Sequence, residues 1–424
     1  MMARLSWLPS RLRPAMHVRV FPPEEVTSRN VAAEAEPGAA GLSGEDVDAI
    51  WGSVVRLYET GLHPAIALCV RRRGLVVLDR AIGHLRGNSP EDGPDTARIP
   101  VRHDSLFNFF SASKAVTAMV VHLLDERGLI HLDDAVVEYF PEFGRHGKDA
   151  ITIRQLLTHR AGIPAVPGTR IDLGLLTDPQ RLLDVLCDAK PLSVPGRRLA
   201  YHALTSGFVL GEIVRRVTGR DIRRVLREEV LAPLGFAAFG YGVSADAVDA
   251  VARNAFTGLP AFPPQSWALE RALGLSAREA TEMSNDPRFL TAVVPSGNVI
   301  GTAAEASRFF QLLLDEGELD GVRVFARRTV RRAVREQSHL EIDSFLGMPV
   351  RYAMGFMLGG DSFSPYGAHT SRAYGHVGFT NVVAWADPQR EISVGLMTSG
   401  KPFITPGQIA WLGVARTISR RCGG

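Results

Sequence analysis

Apolar runs with strand character lie towards the two ends of this chain, and the stretch between them reads as a succession of helices. Ala65–Val70 and Leu75–Ala81 flank Arg71-Arg72-Arg73-Gly74, the pattern of a hairpin with a longer turn. Strand-like runs return only at Ala353–Met357, Ala373–His376, Asn381–Ala386 and Ile392–Thr398. Between these ends, apolar residues recur at helical spacing over Ser111–Arg127, Ile153–Thr158, Pro179–Cys187, Ser206–Thr218, Ile222–Val230 and Ala303–Leu314. A further amphipathic helix starts at the capping pair Ser43 and Asp46, and another, Gly407–Arg420, closes the chain. Such an order requires one sheet assembled from distant segments around an inserted helical region, with a cleft where the two parts meet. The expected division is an α/β sheet domain over 43–105 plus 300–424 and a mainly helical domain over 106–299. Residues 1–42 read as a poorly ordered leader, within which Met16 offers a second start.

Composition excludes several partners. A net charge of +3 over 424 residues supplies no basic patch for nucleic acid, and no apolar run approaches the ~18 residues of a membrane span. The Arg71-Arg72-Arg73 triplet reads as a solvated turn. Cys69, Cys187 and Cys422 are too few and odd in number for a disulfide framework, so free thiols and a cytoplasmic location are expected. Lysine is rare: only Lys114, Lys148, Lys190 and Lys401 occur among 48 basic residues.

One of those lysines forms the chain's only Ser-x-x-Lys, Ser111-Ala112-Ser113-Lys114. Chance alone gives roughly a quarter of one such match in a chain of this composition, so the context has to carry the argument. The pair opens a helix behind the aromatic run Phe107-Asn108-Phe109-Phe110, and a spacing of three puts both side chains on one face. Serine needs a neighbouring base, and a lysine serves only where burial or nearby charge lowers its pKa. The helix start adds free N–H groups and a positive dipole end, which favour a developing oxyanion. Two further elements follow in order: Tyr201-His202-Ala203 ahead of the helix Ser206–Thr218, and Tyr374-Gly375-His376-Val377-Gly378-Phe379 on an expected strand.

In this order and at these separations the three elements resemble the serine β-lactamase and penicillin-binding superfamily, in its class C β-lactamase-like branch with the related family VIII carboxylesterases. The hairpin around Gly74, the stretch Ile151–Pro164 with its Leu-Leu-Thr-His-Arg-Ala-Gly, and Leu210-Gly211-Glu212-Ile213 through Gly219 carry the likeness further. Pro295-Ser296-Gly297-Asn298 ahead of a helix is a looser match, and the resemblance runs from about residue 44 to residue 420. It implies a class C β-lactamase-like α/β (α+β) fold: an antiparallel sheet flanked by helices, with an inserted mostly helical domain. It also implies Ser111 as nucleophile, Lys114 as its activating partner and Tyr201 as the phenol that relays the proton. The backbone N–H groups of Ser111 and Phe379 would form the oxyanion hole, with Gly378 beside them and His376 in the place of a β-lactamase lysine.

Two departures shift the expected substrate from β-lactams to small esters. Ala203 stands where the tyrosine motif ends in asparagine, so another group has to orient Lys114, Asn108 or a backbone carbonyl being the candidates. His376 is a shorter and weaker cation than lysine for a substrate carboxylate. The expected activity is therefore a serine carboxylesterase using no cofactor, acting through an acyl-Ser111 on a small-molecule ester. A D-amino-acid peptidase or weak β-lactamase is the alternative within the same chemistry. A catalytically silent protein that binds a ligand or self-assembles is the alternative outside it. Neither Gly-x-Ser-x-Gly nor His-Glu-x-x-His occurs, which leaves an α/β-hydrolase or a zinc enzyme without its residues. His159 and Arg160 are expected in supporting roles, His202 is expected close to the site, within reach of substrate, and Phe262, Trp267 and Phe289 are candidate apolar liners. The oligomeric state stays open.

Overall fold

The computed structural model describes residues 16–165, 172–259, 270, 274–362, 364–402 and 407–423. Its strands, numbered in chain order, are β1 (Thr27–Arg29), β2 (Ala65–Arg72), β3 (Leu75–Arg86), β4 (Ile99–Pro100), β5 (Phe107–Asn108), β6 (Gly240–Tyr241), β7 (Val299–Gly301), β8 (Glu318–Leu319), β9 (Val322–Arg323), β10 (Ser338–Asp343), β11 (Met348–Tyr352), β12 (Met357–Leu358), β13 (Tyr374–Gly378), β14 (Val382–Asp387) and β15 (Ile392–Thr398). The main sheet is antiparallel, in the order β1-β3-β2-β15-β14-β13-β12-β11-β10, with β4 paired to β3. The join of β2 to β15, from Ile66↔Thr398 to Arg72↔Ile392, closes the two ends of the chain into one surface.

Alternation along the central strands sends their side chains into two cores. Ile66, Leu68 and Val70 on β2 pack with Val394 and Leu396 of β15 against helices Gly44–Glu59 and Gly407–Arg421. Ala65, Ala67 and Cys69, with Met397, face the opposite side, where helix Ala303–Leu314 brings Ala306, Phe309 and Phe310. Sheets covered on both faces read as continuous apolar runs, which is why β2 and β15 are legible from sequence. At Gly395 a Cβ would stand 2.5 Å from the Ala303 carbonyl oxygen, so glycine there sets how closely that helix approaches. Helix Gly44–Glu59 starts as the sequence predicts, with Ser43 and Asp46 in a reciprocal capping box.

Helix Ser113–Glu126 runs through the middle of the larger core, and every residue from Ser113 to Leu124 is buried. A helix apolar on all sides belongs inside a protein. A small sheet in the order β5-β7-β6 ties the segment before it to residues 240–241 and 299–301.

Several expectations are corrected. Residues 1–15 lie outside the described residues, but from Met16 the expected leader is placed: β1 pairs with β3 (Thr27↔Ile82), and Val26, Ala40 and Leu42 are buried. Ala353–Met357 is mostly not a strand. It connects β11 to β12, and the preceding hairpin β10–β11 is not anticipated, because Leu340, Ile342 and Met348 are exposed there and blur the alternation. Pro295–Asn298 precedes β7 rather than a helix. Arg72 is no solvated turn residue: it is 4% exposed, and one of its N–H groups donates to the Gly41 carbonyl at 2.9 Å. Among the described residues no helix is long and apolar enough to cross a membrane.

Candidate active site

Asn108, at the end of β5, sets the geometry in front of the Ser-x-x-Lys pair. Its Oδ1 accepts the N–H of Phe110 at 3.1 Å, and Phe110 takes the left-handed conformation, φ +48°, that aromatic residues rarely adopt. The chain then tightens into a 3-10 turn, Phe110–Ala112, before helix Ser113–Glu126. This kink leaves Ser111 partly exposed while Lys114, one turn on, is 6% exposed. Ser113 Oγ accepts the N–H of Val299 at 2.9 Å and pins the helix start to β7.

The Lys114 amine donates to the carbonyl oxygens of Ala203 (2.6 Å) and Ser296 (3.2 Å) and to Ser111 Oγ (3.2 Å). Asn108 does not hold it; two backbone carbonyls do. Burial, with no anion beside it, pushes the Lys114 pKa down to about 7, so an appreciable fraction is the neutral amine at neutral pH. Tyr201 is 8% exposed, its hydroxyl is near enough to the Ser111 side chain to influence its titration, and its ring centroid lies 5.0 Å from Lys114 Nζ. Burial outweighs the Ser111 contact and holds the phenol well above its ordinary pKa, so Tyr201 carries its proton throughout the neutral range. The three candidates named from sequence thus meet at one point.

The C-terminal strand closes the site from the other side. Gly378 ends β13 directly against the turn that precedes the serine, where a Cβ would fall 2.2 Å from the Phe109 carbonyl oxygen. A three-residue turn, Phe379-Thr380-Asn381, follows, with φ +29° at Thr380 and +63° at Asn381. The Phe379 ring meets the Phe110 ring at 5.5 Å, so the residue just before Ser111 and the residue just after Gly378 are packed together. Beneath Phe110 lies Lys401, fully buried, its amine 4.6 Å from the ring centroid and donating to the Thr398 carbonyl at 2.7 Å.

His376 is 1% exposed and its ring stands 6.2 Å from that of Tyr201. Its Nδ1–H donates to the Val377 carbonyl at 2.8 Å, and its buried Nε2 has no partner among the described residues. Burial first, and the Lys114 ammonium second, push its pKa down to about 3, so it is a neutral imidazole rather than the weak cation expected. His159 and His202 are tied to each other and to the backbone: His159 Nδ1 accepts the His202 N–H, and His202 donates from Nδ1 to Ala200 and accepts at Nε2 from Ile163. Arg160 pairs with Glu341 on β10.

Of the apolar liners, Phe289 is buried in the main core, and Phe262 and Trp267 lie outside the described residues. Sequence reasoning did not single out the Ser296 carbonyl, Lys401 or Asp343, whose contribution is the fold's rather than a motif's. The rarity of lysine was a usable signal, since Lys114, Lys148 and Lys401 are all buried. Among the described residues no group of three or more His, Cys, Asp or Glu side chains is placed to hold a metal ion.

Comparison with known proteins agrees with this architecture. LipL of Mycobacterium tuberculosis, described as an esterase/β-lactamase, is 29% identical over 345 residues, 76% of each chain. A family VIII carboxylesterase of known structure superposes with a TM-score of 0.75 at 26% identity, covering 90% of this chain and 99% of its own. A penicillin-binding protein homologue from Caulobacter crescentus gives 0.77 at 26% identity with the same coverage. The model of the family described as Beta-lactamase matches residues 54–417, a span that takes in the kinked helix start, the tyrosine segment and the closing strand alike. This chain belongs to the β-lactamase family.

Proposed function

We propose that this protein is a serine carboxylesterase that cleaves small neutral esters through an acyl-Ser111 intermediate. The observation that carries the reading is the Lys114 amine, brought to about 7 by burial, 3.2 Å from Ser111 Oγ, with the Tyr201 phenol beside the same side chain. Ser111 Oγ attacks the ester carbonyl carbon and its proton passes to the neutral Lys114 amine. The carbonyl oxygen becomes an oxyanion between the N–H groups of Ser111 and Phe379. As the C–O bond to the leaving group breaks, Tyr201 gives its proton to the departing alkoxide and is reprotonated from the Lys114 ammonium. Water then attacks the acyl carbonyl carbon, its proton passing to the Lys114 amine; as the bond to Ser111 Oγ breaks, that proton returns to Oγ and the acid departs.

The preference for esters over β-lactams rests on His376. A neutral imidazole that is 1% exposed offers no charge to a substrate carboxylate, and Ala203 offers no side-chain amide. The family VIII carboxylesterase among the structural neighbours supports the same choice, whereas LipL is named for both activities. We also read the division into a sheet unit (43–105 plus 300–424) and a helical unit (106–299) into the site, which takes Ser111 and Tyr201 from one and Phe379 from the other. Three buried, unpaired cysteines support a reducing compartment such as the cytoplasm.

The test is hydrolysis of p-nitrophenyl acetate, butyrate and octanoate, beside nitrocefin, by the wild type and Ser111→Ala. Ester turnover at least ~10²-fold above nitrocefin in kcat/KM, and lost in Ser111→Ala, is the expected result. Full activity in Ser111→Ala would overturn the mechanism, and comparable nitrocefin turnover would overturn the ester preference.

A further inference from the structure

Asp343 ends the outermost strand β10, away from every motif in the sequence, yet its side chain is fully buried. Its Oδ1 accepts three backbone N–H groups: Phe345 at 2.8 Å and Leu346 at 3.0 Å within its own hairpin, and Tyr201 at 3.1 Å from 142 positions away. The rest of the hairpin leans on the same segment. Ser344 donates from its backbone N–H to the Leu199 carbonyl at 3.0 Å, and Phe345, Val350 and Tyr352 form one apolar cluster with Leu199, Ala200, Tyr201 and Ala203. Tyr352, whose buried hydroxyl has no hydrogen-bond partner among the described residues, packs its ring 4.9 Å from His159, which in turn lies 4.8 Å from the Tyr201 ring.

The segment so anchored supplies the site twice. Tyr201 brings the phenol, and two residues on the Ala203 carbonyl holds the Lys114 amine. We propose that Asp343 is a positioning residue for the reaction, its carboxylate fixing segment 201–203 and through it both the Tyr201 phenol and the Lys114 amine relative to Ser111. This rests on the Ser111-Lys114-Tyr201 reading above. It makes the edge hairpin β10–β11 part of the catalytic apparatus rather than a trimming of the sheet. Misplacement of reacting groups by a fraction of an ångström to one ångström costs rate far more than it costs binding.

The test compares wild type, Asp343→Ala, Asp343→Asn, Asp343→Glu and Tyr201→Phe in p-nitrophenyl butyrate hydrolysis. Rates are expressed per active site titrated with a p-nitrophenyl phosphonate, so that loss of folded protein does not count. Asp343→Asn keeps an oxygen acceptor in place and should stay within about threefold of wild-type kcat; Asp343→Ala should lose ~10-fold or more in kcat with KM nearly unchanged. Asp343→Glu keeps the carboxylate but displaces it, and should also lose kcat, which keeps the question open to decision if Asp343→Ala does not fold. Wild-type kcat per titrated site in whichever of these two variants folds would overturn the proposal. Wild-type kcat in Tyr201→Phe would instead overturn the mechanism on which it rests.

Discussion

The Ala203 carbonyl oxygen lies 2.6 Å from the Lys114 amine, so the contact that orients this lysine comes from the main chain of a residue whose side chain is a single methyl. Backbone geometry, unlike a side-chain amide, survives substitution. Ala203→Ser, which adds one small atom at a site 3% exposed, should therefore keep kcat/KM for p-nitrophenyl butyrate within about threefold. A loss of two orders of magnitude would mean that the side chain at 203 matters beyond its carbonyl.

The amine's own titration gives the pH dependence. Below about 7 Lys114 is protonated and cannot take the serine proton; above it the neutral amine is available. The profile of kcat/KM should rise towards alkaline pH with an apparent pKa near 7. His202, at about 4, and His376, at about 3, titrate too low to produce that limb. Lys114→Arg, which cannot lose its proton, should cost ~10³-fold or more at every pH.

The same shift has a consequence for stability. The folded pKa is depressed below the ordinary 10.5, so between about 7 and 10.5 the unfolded chain binds more protons than the folded one, and the Lys114 contribution improves as pH rises through that window. At and below pH 7 the buried amine disfavours folding. Lys114→Met should consequently compare better with the wild type in Tm at pH 6 than at pH 9 while abolishing ester turnover, and an equal Tm difference at the two pH values would show that the amine's pKa is not depressed.

Lys148 makes the contrast between a buried lysine that works and one that holds. Its amine donates to the carbonyls of Arg145 (2.8 Å), Cys187 (2.9 Å) and Ala189 (2.5 Å), joining two turns of the helical region with no contact to the site. Lys148→Met leaves those acceptors buried and should destabilise by about 2–4 kcal/mol in denaturant unfolding, with kcat per titrated site unchanged. A fall in kcat per site would give this lysine a part in the chemistry.

Where side chains had to point inwards at a fixed period, the sequence was readable. β15 and helix Ala303–Leu314 have the bounds read from sequence because β15 is buried throughout and the helix buries an apolar face. The meeting of Ser111, Lys114 and Tyr201 is what the family resemblance carried by three short patterns implies. What stayed hidden depends on contacts between distant segments. Nothing in Ser338–Asp343 announces that its last carboxylate reaches the Tyr201 backbone, and exposed Leu340 and Ile342 break the alternation that would have marked the strand. Nor could the neutrality of His376 be read from its letter, since it comes from burial beside Lys114. Arg72 departs from the sequence reading for a related reason: a turn-flanking arginine is ordinarily solvated, and here it is buried with the Gly41 carbonyl as an acceptor.

Gly378 offers the sharpest test of how the oxyanion donors are set. Its α-carbon faces the Phe109 carbonyl so closely that a methyl group would sit 2.2 Å from that oxygen and 3.1 Å from Val382 Cβ. Neither neighbour is the end of a flexible side chain. Phe109 leads into the kinked turn at Phe110, and Val382 is the first residue of β14, so the added methyl can be accommodated only by moving β13 away from the serine turn. That movement separates the Phe379 N–H from the Ser111 N–H. Loss of one oxyanion donor is worth ~10²–10³-fold in kcat, and Gly378→Ala should fall in that range with KM little altered. Phosphonate labelling of Ser111 should slow in proportion, because the phosphoryl oxygen uses the same two donors. If Gly378→Ala instead turns over esters normally, the strand does not supply the second donor, and the oxyanion must be held at the helix start alone.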